Sequence, residues 1–140
     1  MQSSDISNSD IRDASGPGID EAMIRTLVNA FYDRVKQDAL IGPVFAERIS
    51  DWEPHLQRMY AFWSSVMLGT RRYSGRPVPL HAALDIEGRH FDRWLTLFVH
   101  TAREVCPPQA AAAFVFRARK IAEGMQRAID EAERNTRIAE

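Results

Sequence analysis

The chain has 140 residues, 45% hydrophobic and 26% charged, with 18 Lys and Arg against 19 Asp and Glu for a formal net charge of -1. That is the composition of one soluble globular domain, without the basic excess of a nucleic-acid binder or the polybasic stretch of a membrane-surface protein. The single cysteine, Cys106, excludes an intrachain disulfide and suits a reducing cytoplasm, and no run of about 18 apolar residues exists to span a membrane.

Residues 1–18, MQSSDISNSDIRDASGPG, lack the apolar core of a signal peptide and read as a flexible polar tail. The folded domain is expected over 19–134. Asp20 can cap a first helix with Glu21 in its opening turn, and Ile24, Leu27, Val28, Phe31, Tyr32 and Val35 follow at helical spacing. Gly42 and Pro43 in LIGPVF stop it, and a short helical turn through Val44, Phe45 and Ile49 comes next. A second helix starts at Asp51, with Pro54 in its first turn, although Ser50 and Glu53 offer a competing capping box. It places His55, Met59, Phe62, Trp63 and Val66 on one face and ends at Gly69.

Residues 70–85 read as a loop with Gly75, Pro77 and Pro79, and at most one helical turn around His81. A third helix is expected from about Ile86 to Val105, burying Phe91, Trp94, Leu95, Phe98 and Ala102. CPPQ breaks it, and Pro108 can start a last helix burying Phe114, Ala118, Ile121, Met125 and Ile129. Residues 135–140 are expected to fray. With no strand pattern and no repeat, the fold class is all-α: four substantial helices and one long loop.

Familiar catalytic motifs are missing. There is no G-x-S-x-G, no phosphate-binding glycine loop and no H-E-x-x-H. Cys106 has no histidine to activate it, Ser64 and Ser65 read as small residues tolerated within a helix, and the four histidines do not have zinc-site spacing. His90 and His100 read as exposed helix-face residues. What remains is a set of polar side chains on apolar surfaces: Tyr32, His55, His81 and Trp94. Singly each has an ordinary explanation, as a core histidine with a backbone partner, a tyrosine bonded to a carbonyl, or a tryptophan filling space.

Together they resemble the truncated haemoglobins, and within them group III. The matching pieces occur in order: LVNAFYDRV with Phe31 and Tyr32, IGPVF, DWEPHLQRMYAFWSSVMLG with Trp52, His55, Phe62 and Trp63, YSGRPVPLHAAL with a Tyr-x-Gly-x-Pro-x-x-x-His pattern, HFDRWLTLF with Trp94, and FRARKIA. The resemblance spans roughly 19–129, and the absence of paired glycines agrees with group III.

The resemblance implies a two-on-two helical sandwich around haem b, held non-covalently because the C-x-x-C-H attachment motif is absent. It implies His81 as the proximal ligand of a five-coordinate iron, imidazole being a suitable donor for iron and an apolar setting keeping it neutral. It implies Tyr32, His55 and Trp94 as a polar distal trio able to donate hydrogen bonds to a bound ligand. Phe31, Phe45, Met59, Phe62 and Trp63 would supply apolar walls, and Arg72, Tyr73, Arg71 and Arg76 are candidate partners for the haem propionates. The implied function is binding of O2, NO or CO. An enzymatic alternative, peroxidase-like or NO-dioxygenase activity with a reductase as electron donor, would use the same pocket. A cofactor-free helical interaction module is the third reading, and it leaves the polar residues without a role.

Overall fold

A computed structural model describes residues 18–73 and 86–139, the side chains through residue 135. The described residues form five helices and no strand: α1 (Glu21–Gln37), α2 (Gly42–Arg48), α3 (Trp52–Leu68), α4 (Gly88–Val105) and α5 (Pro108–Ala139). The expected tail and the proline-rich stretch with His81 lie outside the described residues.

Helix boundaries follow local chemistry. Asp20 caps α1 by accepting the Met23 N–H at 2.9 Å. Asp51, rather than Ser50, caps α3 and accepts from Glu53 N–H. Gly69 ends α3 at φ +68, a conformation that is inexpensive only for glycine. Pro108 opens α5 as anticipated, but α5 continues through Ala139, past the point where fraying was expected.

Helix α4 begins two residues later than its apolar pattern suggests. Its cap is Glu87, whose N–H donates to His90 Nδ1 at 2.9 Å. His90 is therefore turned back over the helix start and buried, not exposed as its position first suggested. Four residues separate it from Trp94, so both share the inward face.

Two layers result: α1 with α3, and α4 with α5. Helix α1 packs against α2, α3 and α4, and α4 against α5. The core between the layers contains Ile24, Leu27, Val28, Phe31, Phe98, Ala102 and Phe114. Alanines at 102, 110, 111 and 118 let the backbones of α4 and α5 approach closely. At its centre Phe98 stacks with Trp63 and Trp94, their ring centroids 5.0 and 5.7 Å away and both interplanar angles 14°. Phe31 meets Phe98 and Trp94 edge-on. Among the described residues no helix is long and apolar enough to cross a membrane.

The α1–α2 corner is set by Asp38. Its Oδ2 accepts the N–H groups of Leu40 and Ile41 at 3.1 and 3.0 Å, and its Oδ1 accepts from Arg93 Nε on α4 at 2.7 Å. Just beyond, a Cβ on Gly42 would lie 2.9 Å from the Val35 carbonyl oxygen, so only glycine lets the chain turn so tightly against α1. Burial by itself would raise the Asp38 pKa, but the two N–H donors and the Arg93 guanidinium outweigh it and hold the carboxyl below its usual range. A depressed carboxyl stabilises the fold above its unfolded pKa of about 4, and that contribution disappears as pH falls through the lower folded value. Asp38→Asn should therefore cost about 1–3 kcal/mol at pH 7. The variant should also lose less stability than the parent between pH 5 and pH 3, in urea titrations at each pH. Parallel acid profiles for the two proteins would remove Asp38 from the acid sensitivity.

Candidate haem pocket

A pocket opens between the two layers, with a cavity volume of about 100 Å³. Its walls are mostly apolar: Ile41, Val44, Phe45, Met59, Phe62, Trp63, Ile86, Phe91, Ile121 and Met125. Four polar side chains interrupt them, Tyr32, His55, His90 and Trp94.

Each helix contributes by its register. From α1, Tyr32 follows the buried Phe31 and reaches the wall one residue round the helix; the two rings meet edge-on at 4.9 Å. On α3, His55, Met59, Phe62 and Trp63 share one face through their three- and four-residue spacing. Helix α4 supplies His90, Phe91 and Trp94, and α5 supplies Ile121 and Met125.

The polar groups are held in place by rings. His55 lies edge-on to Tyr32 at 5.1 Å and to Trp52 at 5.6 Å, with Phe45 at 6.5 Å. Trp52 in turn carries the Lys36 ammonium 4.6 Å from its ring centre. Tyr32 is 5% exposed, and burial pushes its ionisation far above the ordinary tyrosine range. It is therefore held as a phenol, able to donate a hydrogen bond. His90 accepts the Glu87 N–H at Nδ1, so in the neutral ring the proton sits on Nε2.

Tyr32, His55, Trp94, Phe45, Met59, Phe62 and Trp63 line one cavity. Phe31 stands behind the wall and supports Tyr32 and Trp94. Arg72 pairs with Glu21, with Nη1 2.9 Å from Oε1. Tyr73 packs edge-on against the lining residue Phe62 at 5.2 Å. Arg76 and His81 lie outside the described residues, yet the chain on either side reaches the pocket, through Tyr73 on Phe62 and Ile86 in the lining. Ile41, Val44, Ile86 and His90 were not anticipated as lining, and Phe91, Ile121 and Met125 were expected only as core. His90 had a usable signal in its spacing to Trp94; Ile41, Val44 and Ile86 sit at helix ends, where periodicity is uninformative.

A sequence profile described as bacterial-like globin matches residues 17–126. The chain belongs to the bacterial-like globin family. This globin is 29% identical over 113 residues to the group 3 truncated haemoglobin ctb of Campylobacter jejuni, a match covering 77% of this chain and 89% of that protein. The crystal structure of a group III truncated haemoglobin from the same species superimposes with a TM-score of 0.74 at 28% identity, covering 79% of this globin and 91% of the other chain. The haemoglobin of the thermophilic phototroph Chloroflexus aurantiacus gives a TM-score of 0.65 at 29% identity, covering 75% and 89%. The all-α sandwich of this globin is the truncated globin fold, and its likeness to the group III truncated haemoglobin of Campylobacter jejuni agrees with the subgroup drawn from the motifs.

Proposed function

We propose that this globin binds haem b in the pocket between its layers and uses it to bind O2 and related diatomic molecules. The observation that supports this most directly is the cavity itself. It is apolar over most of its wall and interrupted by a few polar donors. Apolar rings and methyls suit the faces of a porphyrin, and the family's cofactor is non-covalent haem.

Haem, when bound, would supply an iron that takes up O2, NO or CO and shifts negative charge onto O2. The protein's part is to hold the group and to meet that charge. His81 is proposed as the iron's protein ligand, on the motif in YSGRPVPLHAAL. Phe45, Met59, Phe62 and Trp63 exclude water from the pocket. Tyr32, His55 and Trp94 are proposed as the distal trio, the Tyr32 phenol being the buried donor among them. Donors fixed in a dry site stabilise developing charge far more than the same groups in water, since they need not reorganise. Slow O2 release follows.

The test has two steps. Apoprotein mixed with haemin should develop an intense Soret band at one equivalent; no band after reconstitution would overturn the proposal. In the reconstituted ferrous protein, Tyr32→Phe should then speed O2 dissociation by about tenfold, the order expected from losing one hydrogen bond to a charged acceptor. Stopped-flow rates equal to the parent's would mean that Tyr32 does not meet the ligand.

A further inference from the structure

A second polar cluster lies outside the pocket wall. Glu21, in the first turn of α1, accepts the hydroxyl of Ser64 on α3, with Oγ 2.6 Å from Oε2. Ser64 is 0% exposed. Its single hydroxyl proton is spent on the carboxylate, so its 2.7 Å contact with Thr70 Oγ1 must have Thr70 as the donor. The other carboxylate oxygen of Glu21 takes Arg72. One residue further on, the Tyr73 N–H donates to Ser65 Oγ at 2.9 Å.

These bonds act on one short stretch, residues 70–73, immediately after α3 ends. Within it Arg71 has φ +61, the left-handed region that a non-glycine residue seldom occupies. Such a conformation persists only where its surroundings impose it. Here Thr70 is tied on one side, and Arg72 and Tyr73 on the other. The product of this restraint is the Tyr73 ring set edge-on against Phe62, a wall of the pocket. Ser64 is thus no merely tolerated small residue: a larger apolar side chain would fill the space and leave the Glu21 carboxylate short of a donor.

We propose that Glu21 is a positioning residue for cofactor retention: through Ser64, Thr70 and Arg72 its carboxylate holds residues 70–73 so that Tyr73 backs the Phe62 wall. This rests on the haem reading above. It also assigns Arg72 to the latch rather than to a propionate.

The test is haemin transfer from the ferric protein to an excess of acceptor apomyoglobin. Glu21→Gln keeps the shape but removes the charge and one acceptor oxygen, and should speed haemin loss by about tenfold. In the apoprotein of the same variant, hydrogen exchange at the Tyr73 amide should accelerate while exchange in the α4 and α5 core stays unchanged. Arg72→Ala should add little in the Glu21→Gln background, because both act through one network. Additive acceleration would return Arg72 to an independent contact and overturn the latch. So would haemin loss at the parental rate in Glu21→Gln. Should that variant fold poorly, Thr70→Val changes only an exposed residue and should still accelerate loss; a parental rate there also overturns the latch. A parent protein that takes up no haemin at all overturns the haem reading and this role together, and is distinguished by its missing Soret band.

Discussion

His81→Ala is expected to take up haemin without the parent's ferrous deoxy spectrum, and imidazole added to the solution should restore that spectrum. Few imidazoles of this chain are at liberty to serve as the ligand. His90 lines the pocket, but its Nδ1 accepts the Glu87 N–H that starts α4. Recruiting that nitrogen would break the cap. His55 is enclosed by Tyr32, Phe45 and Trp52 on the side of the proposed donors. His100 is exposed and away from the lining. His81 alone follows the family pattern, in the chain between Tyr73, which packs on the lining residue Phe62, and Ile86, which lines the pocket. An unchanged deoxy spectrum in His81→Ala would refute the assignment. His90→Ala is the matched control: it should keep the spectrum and lose only the order of 1 kcal/mol of cap stability.

Phe98→Ala should be the most destabilising single change in the described core. The ring is 1% exposed and stacked with two tryptophans, so its removal deletes a large buried side chain and leaves Trp63 and Trp94 facing a void. Phenylalanine-to-alanine changes in such sites cost about 3–5 kcal/mol, equivalent to a fall of roughly 10 °C in Tm for a domain of this size. Both tryptophans also line the pocket, so haemin affinity should fall with stability. A loss below about 1 kcal/mol in urea unfolding of the apoprotein would show that the two indoles close the gap themselves.

Phe98 and Glu21 illustrate two kinds of legibility. Phe98 could be read as core from its spacing to Phe91, Trp94 and Leu95, because a helix places those residues on one stripe. Glu21 read only as a favourable acidic residue in a first turn. Its partner Ser64 is 43 residues away, and no local pattern connects them. Ser64 itself looked incidental, since serine within a helix carries no distinguishing signal until the element against which it packs is known.

The apolar periods, the caps at Asp20 and Asp51, the glycine stop at Gly69 and the proline break before α5 all act within a few residues, and the amino-acid sequence by itself determined them. It also determined the family, through an ordered set of motifs whose spacing no single helix would require. The tertiary structure decided what depends on the packing of distant segments: that His90 turns inward on the Glu87 cap, that Ile41, Val44 and Ile86 complete the wall, and that Phe31 supports the wall rather than lining it. It also decided that Arg72 is engaged by Glu21. Helical periodicity gives the angle of a side chain about its own axis. Which neighbour that side chain meets is settled only when the layers pack and α1 comes to lie against α2, α3 and α4 at once.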